Sequence, residues 1–123
     1  MKAAHLQQGE DAEIACCRYL KSQGLKLVDK NFSSRFGEID IIMLDKKMLV
    51  FVEVRYRKNN KFGGALESVT QSKQNKLRKT AELYLQKNAQ HENARFDVVS
   101  MSKNTQTSTD KQQYTFDWIP NAF

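Results

Sequence analysis

The sequence has only two cysteines, Cys16 and Cys17, and they are neighbours. Adjacent cysteines cannot close a loop through a disulfide and offer no C-x-x-C spacing for zinc, so a reducing compartment is expected. Histidine is equally scarce. His5 and His91 stand in polar surroundings without partners at metal-ligand spacing, which leaves them no metal role. Long apolar runs are missing too: no stretch approaches the roughly 18 residues of a spanning helix, and the N-terminus turns polar before any run of signal-peptide length. The expectation is a cytoplasmic protein with no membrane partner. There is no internal repeat, and the one linker-like stretch, Ser102 to Gln113, lies too near the end to divide domains.

What is present fits one ordinary domain. A chain of 123 residues, 40% hydrophobic and 28% charged, is long enough to bury a core without disulfides or structural metal. We expect residues 1–123 to form a single soluble domain. Twenty Lys and Arg against fourteen Asp and Glu leave a net charge of +6. That excess favours a polyanionic partner such as DNA, RNA or an anionic membrane surface.

Helical periodicity runs from about Gln7 to Gln23, with Gly24 placed as a left-handed C-cap. Leu6, Gly9, Ala12, Cys16, Cys17, Tyr19 and Leu20 share one side of this helix, and Glu13 falls in the middle of it. Leu25 to Phe32 alternates as a strand, followed by a turn over Ser33, Ser34 and the Gly37 region. Glu38 to Leu44 and Leu49 to Arg57, rich in β-branched and aromatic residues, predict an antiparallel hairpin about Asp45-Lys46-Lys47. Lys58 to Gly64 reads as a mobile loop. A second long helix is expected from near Ser68, with Ser68 and Gln71 as a capping box, to about Lys87; Leu77, Ala81, Tyr84 and Leu85 form its inward stripe. Arg95 to Met101 and Tyr114 to Ile119 are the remaining strands, separated by a Ser/Thr/Gln-rich loop. The order α-β-β-β-α-β-β describes an α/β domain with a central mixed sheet flanked by helices.

Acidic residues inside apolar segments carry the chemistry, because ionised carboxylates there need a metal or another cation to offset desolvation. Asp40 interrupts an apolar strand two residues after Glu38, Glu53 interrupts Val50-Phe51-Val52 and Val54, and Glu13 sits on the apolar side of the first helix. Strand alternation projects Glu53, Arg55 and Arg57 from one face, successive members roughly 6 to 7 Å apart. With Asp40 across the hairpin from Glu53, the two carboxylates can share a divalent ion, Mg²⁺ or Mn²⁺, and Arg55 can offset charge developing on a phosphate. Glu38 is an alternative ligand, or a cap for the preceding turn. Asp97 reads as half of a structural pair, and Trp118 as core.

Gly37-Glu38-Ile39-Asp40, followed by Phe51-Val52-Glu53-Val54-Arg55-Tyr56-Arg57, resembles the D-x(n)-E-x-K core of the PD-(D/E)XK nucleases. Gly9-Glu10-Asp11-Ala12-Glu13 is similar to the helical G-x-x-A-E element of the archaeal Holliday-junction resolvase branch, and that match passes a metal-ligand role to Glu13. Along Gly9 to Ala122 the chain looks like the bacterial YraN-like family of endonuclease-related proteins, through Asn31, Phe62-Gly63, Ser72-Lys73 and Arg95-Phe96-Asp97-Val98-Val99 as well as the two strings above. The resemblance implies a restriction-endonuclease-like fold and a metal-dependent endonuclease. Arg55 stands where the superfamily usually places Lys, and a guanidinium cannot act as a general base. Lys73, on the helix face shared with Leu77 and Tyr84, is the candidate amine.

The expected activity is phosphodiester cleavage of nucleic acid, DNA favoured over RNA, with Asp40, Glu53 and Arg55 catalytic and Glu13, Asp40 and Glu53 on the metal. Arg57, Lys73 and Lys76 are the expected phosphate contacts. With no helix-turn-helix, zinc finger or second domain to read bases, selectivity for structure rather than sequence is favoured. The rivals are a non-catalytic nucleic-acid-binding protein that keeps the fold and a basic module that docks an acidic protein.

Overall fold

The computed structural model describes residues 4–57, 64–103 and 114–123, with the backbone alone for residues 4–8 and Ala65. Residues 58–63 of the loop expected over Lys58 to Gly64, and most of the Ser/Thr/Gln-rich loop, lie outside the described residues. Eight elements follow in order: α1 (Ala4–Ser22), β1 (Lys26–Ser34), β2 (Gly37–Asp45), β3 (Met48–Tyr56), α2 (Ala65–Ser68), α3 (Gln71–Lys87), β4 (Ala94–Lys103) and β5 (Tyr114–Ile119). The strands form one five-stranded sheet in the order β1-β2-β3-β4-β5. All neighbours pair antiparallel except β3 and β4, which run parallel and are joined by the crossover through α2 and α3. This is the mixed α/β sheet expected from the sequence, with one short helical turn, α2, added before the second long helix.

Each face of the sheet is covered by one helix. Ala12, Cys16, Cys17 and Leu20 of α1 pack on Ile41, Met43, Val50, Val52, Val99 and Met101. Leu77, Ala81 and Tyr84 of α3 pack with Ile39, Ile42, Leu49, Phe51 and Val98 on the opposite face. Double coverage explains why β2 and β3 read as nearly continuous apolar runs rather than as alternating ones. Helix α1 ends where expected: Gly24 adopts φ 102, and the Leu25 N–H returns to the Leu20 carbonyl at 3.1 Å. No helix among the described residues is long and apolar enough to cross a membrane.

The start of α3 corrects the sequence reading. Ser68 and Gln71 do not form a capping box; Thr70 is the N-cap, its hydroxyl accepting the Lys73 N–H at 3.2 Å. Ser68 belongs to α2, and its hydroxyl accepts from Arg55 Nε at 2.9 Å. Sequence position alone does not separate two hydroxyls two residues apart.

Asp97 is the structural anchor anticipated for it. Fully buried on β4, it accepts from Arg95 Nε at 2.9 Å, Trp118 Nε1 at 2.9 Å and the Asn121 N–H at 2.9 Å, so one carboxylate ties β4 to β5 and to the residues after it. Arg95 also reaches Asp45 at 3.1 Å, extending this tie to the end of β2.

Candidate functional site

The site lies where the sheet divides. The β2–β3 ladder stops at Ile41 opposite Val52, whereas β2 continues against β1 to the Ser34–Gly37 pair and β3 continues against β4 to the Tyr56–Met101 pair. One register step past the last rung, Asp40 stands opposite Glu53. The Asp40 carboxylate fills the gap left by the ladder, its Oδ2 accepting the Val54 N–H at 3.1 Å. Side-chain alternation slips at the same point. Ile39 packs in the α3-side cluster and Ile41 in the α1-side cluster, although strict alternation would put both on one face. Opposite the slip, Asn31 of β1 takes φ 54, the left-handed conformation that asparagine tolerates best among non-glycine residues. The fork thus turns Asp40 toward Glu53.

The Asp40 and Glu53 carboxyls stand side by side past the end of the ladder, so the charge of each bears directly on the other. Burial pushes both groups above the ordinary carboxylate range, and for Glu53 the neighbouring Asp40 adds to the rise. Opposing it at Asp40 are the Val54 N–H, the nearby Glu53 carboxyl, and the positive charges of Arg55 and Lys73. Lys73 comes from the first turn of α3 and Arg55 from β3, so two cations from different elements face the same pair.

Glu13 comes from α1, with its carboxyl lifted to about 7, first by burial and then by the charges of Asp40 and Glu38. Its Oε1 faces Asn31, whose amide nitrogen, turned toward its two acceptors, donates to Glu13 at 3.0 Å and to Glu38 Oε1 at 3.1 Å. Glu38 thus holds the other side of Asn31. Beneath the carboxylates Cys16 is fully buried, and burial raises its thiol far above the ordinary value, so it behaves as a small apolar side chain.

The remaining predicted contacts sit farther out. Arg57 follows β3, its N–H donating to the Met101 carbonyl at 2.7 Å and its Nη1 reaching the Gly64 carbonyl at 3.5 Å. Lys76 is exposed one turn along α3 from Lys73. Three contributors escaped the sequence reading: Asn31, the Val54 N–H, and Ser68 as the partner that fixes Arg55. An asparagine inside an otherwise strand-forming run was the available signal for the first.

Chemically, two neighbouring acidic groups near an ammonium and a guanidinium suit a divalent ion or a proton on one side and a phosphate on the other. Among the described residues no group of three or more His, Cys, Asp or Glu side chains is placed to hold a metal ion together, so Glu13, Asp40 and Glu53 do not form one three-carboxylate set. The donor set that fits a hard cation is the open Asp40–Glu53 pair, with Glu13 held to one side.

Residues 12–101 match the profile of the Uncharacterised protein family UPF0102. The chain belongs to this family. A UPF0102 protein of Nitrosococcus oceani is 42% identical over 98% of this chain and 94% of its own length. Those of Stutzerimonas stutzeri and Photobacterium profundum are 45% identical over 94% of this chain (92% of the relative) and 49% identical over 77% (78% of the relative). The UPF0102 span contains Glu13, Asn31, Asp40, Glu53, Arg55 and Lys73, so the whole candidate site falls inside the region that defines the family.

Proposed function

We propose that this chain is a metal-dependent endonuclease of the restriction-endonuclease-like class, cleaving phosphodiester bonds in nucleic acid, DNA before RNA, by structure rather than sequence. The observation that carries the reading is the desolvated Asp40–Glu53 pair at the sheet fork, facing Arg55 and Lys73. Two acidic groups brought into contact in a partly buried notch repel each other when both are ionised, and a divalent cation relieves that repulsion. Asp40 and Glu53 would hold Mg²⁺ or Mn²⁺, which supplies Lewis acidity toward a phosphoryl oxygen and toward water. Asp40 keeps its orientation through the Val54 N–H. Arg55, steadied by Ser68, presents a permanent positive charge to a phosphate, and Lys73 is the amine among the described residues for the role that Arg55 cannot fill. The +6 net charge supports a polyanionic substrate.

The test is a cleavage screen on single-stranded, flapped, nicked and four-way DNA in Mg²⁺, Mn²⁺ or EDTA. Wild type should cut at least one branched or unpaired substrate only with metal, and Asp40→Asn or Glu53→Gln should lower the rate at least 100-fold while circular dichroism stays unchanged. No cleavage by wild type or by Arg55→Lys, together with no calorimetric heat of Mn²⁺ binding, would leave a binding protein without the chemistry. Arg55 in the lysine position is the specific observation that favours that second reading.

A further inference from the structure

The β1–β2 connection places two cations on one aromatic ring. Arg35 and Phe36 are the central residues of a two-residue turn closed by the Ser34–Gly37 pair. The Arg35 guanidinium lies 4.8 Å from the centroid of the Phe36 ring, and the Lys79 ammonium, arriving from α3, lies 5.2 Å from the same centroid. The turn is held against the helix. Phe36 N–H donates to Ser34 Oγ at 3.1 Å, and Ser34 Oγ meets the hydroxyl of Thr80, which is fully buried, at 2.8 Å. Neither Arg35 nor Lys79 is ion-paired with a carboxylate among the described residues. Gathering two like charges at one ring costs electrostatic energy that an anion between them removes, and fixing both in advance lowers the entropy lost on binding one.

This cluster is continuous with the fork. Lys73, Lys76 and Lys79 recur at every third position of α3, a spacing that makes them neighbours along the helix surface. The row begins beside Asp40 and Glu53 and ends on Phe36. Along β2, Phe36 lies four residues before Asp40, about 13 Å at the rise of an extended strand.

We propose that Arg35 and Lys79, seated on Phe36, form a phosphate-binding position that grips the backbone of a nucleic-acid strand about 13 Å from the carboxylate pair. The proposal rests on the phosphodiesterase reading, since it names where the flank of that substrate is held. Phe36 sets the separation of the two cations, and the Ser34–Thr80 contact keeps the turn from moving relative to α3. The row of lysines between the two places gives the strand an uninterrupted basic track, so recognition there is of phosphate and not of base identity.

Binding measured in EDTA separates this site from cleavage. Fluorescence anisotropy with a labelled duplex oligonucleotide, titrated with salt, gives the slope of log K against log salt. Arg35→Gln with Lys79→Gln should weaken binding at least tenfold at low salt and reduce the slope by about 0.9 per contact, close to 2 for the pair. The same loss of charge placed away from the track, Lys21→Gln with Lys47→Gln, should change the slope by less than half as much. Equal effects of the two double variants, or wild-type affinity in the Arg35/Lys79 variant, would overturn the phosphate site while leaving the carboxylate chemistry standing. Failure of wild type to bind any oligonucleotide at low salt would overturn both.

Discussion

Asn31 carries two costs at once, a left-handed backbone and an amide shared between two acids. Those costs separate by substitution. Asn31→Gly keeps the left-handed conformation without strain and loses only the amide, whereas Asn31→Ala loses the amide and forces a Cβ into φ 54. We expect the alanine variant to be less stable than the glycine variant by about 1 kcal/mol in urea denaturation, because the strain outweighs the extra chain entropy of glycine. Equal stabilities would mean that β1 relaxes locally and that the conformation is not imposed by the pairing with β2. Both variants leave Glu13 and Glu38 without the donor between them, which loosens the hold on Glu13 relative to Asp40. The residue scale is also where the sequence was least legible. Asp40, Glu53 and Glu13 stood out because each is an acid in an apolar run, but the partners that aim them do not. Asn31 acts through a backbone angle that an asparagine in a strand run only hints at, and the Val54 N–H acts through a ladder that stops, which leaves no mark on residue identity.

At the scale of elements, the strands were readable because burial on both faces demands apolar residues at nearly every position of β2 and β3, and a short polar connection between such runs implies a hairpin. The fork was not readable. Glu38 to Leu44 is a regular strand in sequence, and the slip between Ile39 and Ile41 comes from β2 leaving β3 to stay with β1, a choice made by tertiary pairing. The α3 start shows the same limit in a helix. Ser68 and Thr70 both offer a hydroxyl ahead of the apolar stripe, and the chain spends the first on Arg55 and the second on the cap. This division is open to measurement. Thr70→Ala should cost about 1 kcal/mol and speed amide exchange at Lys73, the N–H that Thr70 accepts. Ser68→Ala should leave exchange at Lys73 unchanged. Faster exchange at Lys73 in the serine variant would return the cap to Ser68 and dissociate that residue from Arg55.

For the whole molecule, the site makes folding stability depend on pH in a direction opposite to that of ordinary surface carboxylates. Glu13 moves from an ordinary 4.5 to about 7 on folding. Burial causes most of this rise, with Asp40, Glu38 and Glu10 adding to it and Lys30 opposing it. Asp40 and Glu53 shift in the same direction, with Arg55 and Lys73 opposing. A carboxyl whose folded value is raised binds its proton more tightly in the native state than in the unfolded one. Its contribution to stability is fully present below the unfolded value near 4.5 and is lost as pH rises through the folded value. Metal-free protein should therefore melt at a lower temperature at pH 8.5 than at pH 6, and Glu13→Gln should flatten part of that decline by removing one of the three groups. Divalent cation competes with the proton for the Asp40–Glu53 pair, so the rise in melting temperature on adding Mn²⁺ should be larger at pH 8 than at pH 6. Differential scanning calorimetry in EDTA and in Mn²⁺ across this range checks both parts. A melting temperature that is level from pH 6 to 8.5 in EDTA would mean that the three acids are solvated in solution, and the cation would then have no repulsion to relieve at the fork.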